Sequence, residues 1–234
     1  MKKLLFAATL LLSGFQFATA QTADEIVAKH ITAIGGADNW KKLNTLQMEI
    51  TMKAQGAEIG MKRTHIHNKA MRMDISVMGM SGYSILTTKE GWNYMPFQGQ
   101  TKAEPMTADD VKTSQDELNI MDEFITYKDK GKKIEYLGTD DLEGTECFKL
   151  KMTDKDGQET TYYLDKSNYY TLKQVQKMKA NGKETEVVMT FSNYKMLPEG
   201  ILYAHSLGGD WGDMEISKIL VNSVIDENLF KPAN

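Results

Sequence analysis

"LQMEITMK" (Leu46 to Lys53) decides how the chain is read. Leu46, Met48, Ile50 and Met52 alternate with Gln47, Glu49, Thr51 and Lys53, the period of two in which successive side chains leave opposite faces of a strand. The alternation returns in "MRMDISV", where Met71, Met73, Ile75 and Val77 alternate with Arg72, Asp74 and Ser76. Strands of this kind bury one face and offer the other to water, as antiparallel sheets do. Turn signals at Gln55-Gly56, Asn68-Lys69, Gly79, Lys89-Glu90-Gly91, Asp156-Gly157, Asn181-Gly182 and Pro198-Glu199-Gly200 separate the strand runs. About eleven runs at that spacing predict a meander or barrel.

Upstream, "QTADEIVAKHITAIGG" (Gln21 to Gly36) opens with a capping box, Thr22 with Glu25, and places Ile26, Val27, His30, Ile31 and Ile34 at helical spacing before Gly35-Gly36 closes it. A shorter helical piece is expected at Asp38 to Leu43. Downstream, "EPMTADDVKTSQDELNIMDEFI" (Glu104 to Ile125) breaks the strand rhythm. It begins with a second cap, Thr107 with Asp110, and carries Val111, Leu118, Met121, Phe124 and Ile125, which predicts helix with a break near Thr113-Ser114.

Two helical segments cannot hide the apolar face of a flat sheet this wide, so the sheet must curve around them. The expected class is mainly β (α+β): a half-open antiparallel β-barrel of about eleven strands, closed by an N-terminal helix and lid helices.

The first twenty residues, "MKKLLFAATLLLSGFQFATA", combine Lys2-Lys3, an apolar run from Leu4 to Leu12 and an Ala18-Thr19-Ala20 ending, the pattern of a cleaved secretory signal peptide. The apolar run is too short to span a bilayer. Residues 21–234 then suit one β-rich domain. Loss of Lys2 and Lys3 takes the net charge from −4 to −6. An acidic chain with scattered lysines does not match a phosphate backbone, so no nucleic acid is expected as partner. Cys147 is the one cysteine, which excludes an intramolecular disulfide, and its strand-like setting in "TECFKLKM" reads as a buried, inert thiol.

Three readings compete for the methionine-rich "KAMRMDISVMGM" (Lys69 to Met80): core filler, soft metal ligands, or a wall that accepts apolar molecules of varying shape. The metal alternative, copper or zinc in an exported protein, would use His65, His67, Met71 and Met73. An enzyme reading has no nucleophile elbow, zinc-protease helix or phosphate-binding loop to rest on, and Asp109, Asp110, Asp140 and Asp141 fall where helix starts and turns want acids. No catalytic residue and no cofactor is expected.

"GWNYMPFQG" (Gly91 to Gly99), following "SILTTKEG", resembles the strand, turn and strand of the LolA/LolB-like carriers of outer-membrane lipoproteins, and is most similar to the Bacteroidetes-type outer membrane lipoprotein-sorting branch. The resemblance extends through "ADEIVAKHITAIGGADNWKKLNTLQMEITM", "NKAMRMD", "KAEPMTADDV", "YYLDKSNYY", "FSNYKMLPEGIL" and "SVIDENLFKP". It implies an incomplete barrel with a hydrophobic cavity for acyl chains, Ala23 to Ile34 as the helix across it and Glu104 to Ile125 as the lid. It also implies a periplasmic, monomeric carrier whose partners are lipid acyl chains or lipoproteins together with donor and acceptor proteins of the envelope. The wall is then expected from Leu46, Met48, Ile50, Met52 and Met61, from Met71, Met73, Ile75 and Val77, and from Ile85, Trp92 and Tyr94. Val111, Leu118, Met121 and Phe124 are expected to face it from the lid, with Met78 and Met80 at the rim. An envelope sensor of the same fold is the further alternative.

Overall fold

The computed structural model describes residues 21–54, 56–180 and 183–232. The stretch read as a signal peptide lies outside them, as do Gln55 and the Asn181-Gly182 turn signal. The described residues form one sheet of thirteen strands: β1 Thr45–Ala54, β2 Ala57–Ile66, β3 Ala70–Val77, β4 Met80–Thr87, β5 Gly91–Tyr94, β6 Glu104–Pro105, β7 Lys133–Leu142, β8 Thr145–Thr153, β9 Glu159–Asp165, β10 Thr171–Ala180, β11 Lys183–Met196, β12 Leu202–Gly209 and β13 Asp213–Val221.

The spatial order is β6-β5-β4-β3-β2-β1-β13-β12-β11-β10-β9-β8-β7. Two antiparallel meanders therefore meet where β1 pairs with β13, while β6 and β7 remain the two free edges and the barrel stays open. The topology makes the lid unavoidable. The chain leaves one edge at β6 and must start the other at β7, so residues 106–132 have to cross from edge to edge.

That crossing is less regular than the sequence predicts. The expected helical segment Glu104 to Ile125 starts with the two-residue strand β6, one of thirteen strands where about eleven were expected. It then divides into α3 (Ala108–Thr113), a 3-10 turn (Ser114–Leu118) and α4 (Glu123–Thr126). Upstream of the sheet, α1 spans Ala23–Ala33 and α2 spans Ala37–Trp40. The break falls at Thr113-Ser114 as expected, and its cause is local. The Thr113 hydroxyl donates to the carbonyls of Asp109 and Asp110, and Asp122 accepts from the amide of Phe124 to begin α4 afresh. Both predicted caps form: Thr22 accepts from Glu25 N while Glu25 accepts from Thr22 N at 2.9 Å, and Thr107 accepts from Asp110 N.

The end of α1 is fixed by a close approach. Gly35 has φ +106°, and a Cβ there would lie 2.0 Å from the Gly200 carbonyl oxygen, so the helix can seat against the β11–β12 turn only with glycine at this position. Leu202 N then donates to Ile34 O at 2.9 Å.

Strand register settles which face points inward. Leu46, Met48 and Ile50 pack against Ile34, Trp40, Leu43, Ile120 and Ile201, so their parity is the inner one. A second inner cluster gathers Ile26 and Val27 of α1, Phe124 of α4, and Phe148, Leu150, Tyr162 and Leu164 of β8 and β9. Ile85, Trp92 and Tyr94 have the other parity: Ile85 pairs with Arg72 and Trp92, and Tyr94 with Tyr83. They belong to an outer cluster with Ala70 and Phe230, covered by the C-terminal segment, and are thereby removed from the expected wall. Arg72 fastens that segment by donating to Leu229 O at 2.9 Å, with its guanidinium 4.3 Å from the Tyr83 ring centroid.

Candidate functional site

The inner face of β13, β1, β2, β3 and β4 resolves into cross-strand rows. The innermost is Val221, Leu46, His65, Met71 and Leu86; the second is Ile219, Met48, Arg63, Met73 and Ser84. A β-bulge at Glu49/Ile50 resets the register on β13, after which Ile216, Ile50, Met61, Ile75 and Gly82 form the third row. The last row, at the open end, is Met214, Met52, Ile59, Val77 and Met80. Leu46, Met48, Ile50 and Met71 are buried, whereas Met52, Met61, Met73, Ile75 and Val77 are half-buried. Nine of the expected wall residues thus share one surface, closed at one end and open at the other. The hairpin tips beyond its open end carry Met78 (86 % exposed), Met80 (44 %) and Trp211 (57 %).

The lid closes the inner end. Val111 and Leu118 pack on Met71 and Leu86, as their helical spacing predicts. Three hydrogen bonds then stitch the lid backbone to the end of β2 and the β2–β3 turn: His65 Nε2 donates to Glu117 O at 3.1 Å, Ile120 N to His67 Nδ1 at 3.3 Å, and Asn68 N to Leu118 O at 2.8 Å. The metal alternative does not assemble. His67 has left the strand, its Nδ1 and the Nε2 of His65 are taken by lid backbone, and the Met71 sulfur accepts from Arg63 Nη2 at 3.4 Å. Among the described residues no group of three His, Cys, Asp or Glu side chains is placed to hold a metal ion.

Burial drives the pKa of His65 down to about 3, with the Arg63 charge adding to it. A histidine that stays neutral when folded but titrates near 6.5 when unfolded lets the unfolded chain bind the extra proton, so stability is lost as pH falls from 6.5 towards 3. Between pH 7 and pH 5 this one group costs about 2 kcal/mol. His65→Gln, which retains a donor towards Glu117 O, is expected to remove that share of the pH dependence in urea melts run at both pH values; identical slopes for the two proteins would refute it.

On the other side of the lid lies a cavity of about 230 Å³. His30 of α1, Ile34 that caps it, Trp40, Ile120 to Phe124 of the lid, and Tyr162, Thr171, Tyr194, Tyr203 and Leu207 of the second meander are among its lining residues. Met121 and Phe124 line it, whereas none of the other residues expected to form the wall or to face it from the lid does. Its polar corner holds the lid as well. His30 Nδ1 donates to Tyr169 O at 2.7 Å, and Nε2 faces Asp122 Oδ1 at 3.4 Å. Burial alone would depress the His30 pKa, yet the Asp122 carboxylate and the Tyr169 carbonyl outweigh it and hold the ring above its usual value. Tyr162 donates to Glu123, which also pairs with Lys132, and burial followed by the Glu123 charge pushes the Tyr162 hydroxyl well up.

Three of the four histidines therefore work on the lid, a role no sequence pattern announces, since each partner lies tens of residues away. The only hint is His30 itself, a titratable group on the buried stripe of α1. Cys147 is fully buried, with burial and nearby carboxylates raising its thiol pKa.

Compared by sequence, the chain matches no family model and no curated protein. Compared by fold, it is similar to an outer membrane lipoprotein-sorting protein domain from Vibrio parahaemolyticus (16 % identity, 88 % of this chain and 94 % of that one, TM-score 0.54). It is also similar to a LolA superfamily protein from Nitrosomonas europaea (14 %, 91 % and 99 %, 0.56) and to a DUF1329 family protein from Desulfovibrio piger (12 %, 91 % and 98 %, 0.59). At these identities the likeness is one of fold: the open antiparallel barrel with its crossing lid is the LolA-like fold.

Proposed function

We propose that the chain is a periplasmic carrier that holds the acyl chains of lipids or lipoproteins against its inner wall and moves them between envelope membranes. The observation that carries this reading is the open end of the wall, where Met52, Ile59, Ile75 and Val77 face inward, stay half-buried and belong to none of the apolar clusters formed among the described residues. A protein that needed only a core would have closed the sheet there. Each methylene moved from water onto such a surface contributes about 0.8 kcal/mol, so ten of them supply on the order of 8 kcal/mol.

The cavity of about 230 Å³ beside His30 is smaller than the roughly 300–1,000 Å³ of ordinary ligand pockets, so acyl chains gain further room by lid movement or by repacking of the unbranched methionines. Exposed Met78, Met80 and Trp211 at the open end suit contact with a membrane surface. The fold shared with a lipoprotein-sorting domain and a LolA superfamily protein supports the same class of cargo. The carrier works as a monomer, loading from an envelope donor and unloading to an acceptor, with no bond made or broken and no cofactor. Residues 1–20 act as the export signal.

The test is transfer of a fluorescent acyl lipid from donor to acceptor vesicles. The rate is expected to rise in proportion to added protein; a rate equal to spontaneous exchange at every protein concentration would overturn the reading.

A further inference from the structure

The chain has two arginines, and the sheet treats them oppositely. Arg72, on the outer face, has its Nη2 2.7 Å from Asp74 Oδ1 and also bonds Leu229 O. Arg63, on the inner face, is half-buried and has no carboxylate within ion-pair distance among the described residues. Its Nε is buried without a hydrogen-bond partner, and its one hydrogen bond is the weak contact of Nη2 with the Met71 sulfur. Its cross-strand neighbours are Met48 and Met73, and its neighbours along β2 on that face are Met61 and His65. Of the side chains in the four rows it is the one that carries a fixed charge, since His65 is held neutral.

A guanidinium set among thioethers with five donors and no acceptor is costly unless something anionic pairs with it. The second row is also where the lid-covered and the open parts of the wall meet, so an anion at Arg63 would place an attached hydrocarbon tail along Met61, Met73, Ile75 and Val77.

Resting on the carrier reading, we propose that Arg63 is the headgroup anchor of the wall, selecting amphiphiles whose polar end is a carboxylate or phosphate anion over neutral ones with the same tail. A planar, always charged fork recognises both anions in the same bidentate manner.

The test is competition against a bound fluorescent fatty-acid analogue by three ligands with one hexadecyl-length tail: palmitate, palmitoyl lysophosphatidate and hexadecanol. The wild type is expected to prefer at least one anion over hexadecanol by about tenfold or more. Whichever anion is preferred names the headgroup. Arg63→Met, a side chain matched to its methionine surroundings, should bring the ratio to about one with hexadecanol affinity unchanged, whereas Arg63→Lys should keep part of the preference. A ratio near one in the wild type, or a preference that survives Arg63→Met, would overturn the assignment while hexadecanol binding leaves the carrier reading standing. If none of the ligands displaces the probe and the probe itself does not bind, both fall together.

Discussion

Ile75→Asp is expected to lower affinity for a long-chain acyl ligand by about 100-fold or more while the protein still folds. Ile75 is half-buried in the third row, opposite Met61 on β2 and Gly82 on β4, and belongs to none of the buried clusters that hold the lid or the helices. An aspartate there meets solvent in the free protein, so the cost of folding is small. Covering that carboxylate with hydrocarbon removes its water and gives nothing back, a penalty of several kcal/mol. The control is one residue away: Ser76 is exposed and points to the other face, so Ser76→Asp adds the same charge to the same strand and should leave binding unchanged. Equal losses in the two variants would mean that net charge, not the inner wall, governs binding. An unchanged affinity in Ile75→Asp would remove β3 from the site.

The second large effect concerns the lid. Leu118 is 2 % exposed and packs with Met71, Leu86 and Val111, so Leu118→Ala should cost about 2–5 kcal/mol. That loss falls on a seam otherwise held by three hydrogen bonds from the end of β2 and the β2–β3 turn and by the His30–Asp122 contact, and the sheet beneath has its own ladder. Amide exchange from Val111 to Ile125 is therefore expected to speed up by about 100-fold, while amides of β1 to β4 keep their protection. Uniformly faster exchange over the whole chain would show that the lid is part of the global core and does not open by itself.

How legible this was in the sequence depended on how many faces of an element are buried. β1 and β3 have one apolar face, so their alternation groups Leu46 to Met52 and Met71 to Val77 on one side of each strand, and the packing of Leu46, Met48 and Met71 under the helices and lid makes that side the inner one. β4 carries Tyr83 and Ile85 on one face and Leu86 on the other, all buried, because the lid covers it from inside and the C-terminal segment from outside. A period of two says nothing about sides in such a strand, and the placement of Ile85, Trp92 and Tyr94 on the inner wall failed there. The caps at Thr22 and Thr107 were readable because they are local, spanning three residues. The lid's fastening was not, because His65 and Glu117 are 52 positions apart and only the edge-to-edge crossing brings them together. The cavity beside His30 was equally hidden, since its walls come from both N-terminal helices, the lid and four strands of the second meander.

The most direct test of the central claim is native mass spectrometry of the protein purified without detergent from a Gram-negative host, followed by lipid extraction. The account predicts bound species with acyl-lipid masses in stoichiometric amount on the wild type, and their loss from Ile75→Asp but not from Ser76→Asp. A wild-type spectrum showing the polypeptide mass alone, together with no uptake when the same sample is incubated with vesicles, would contradict it.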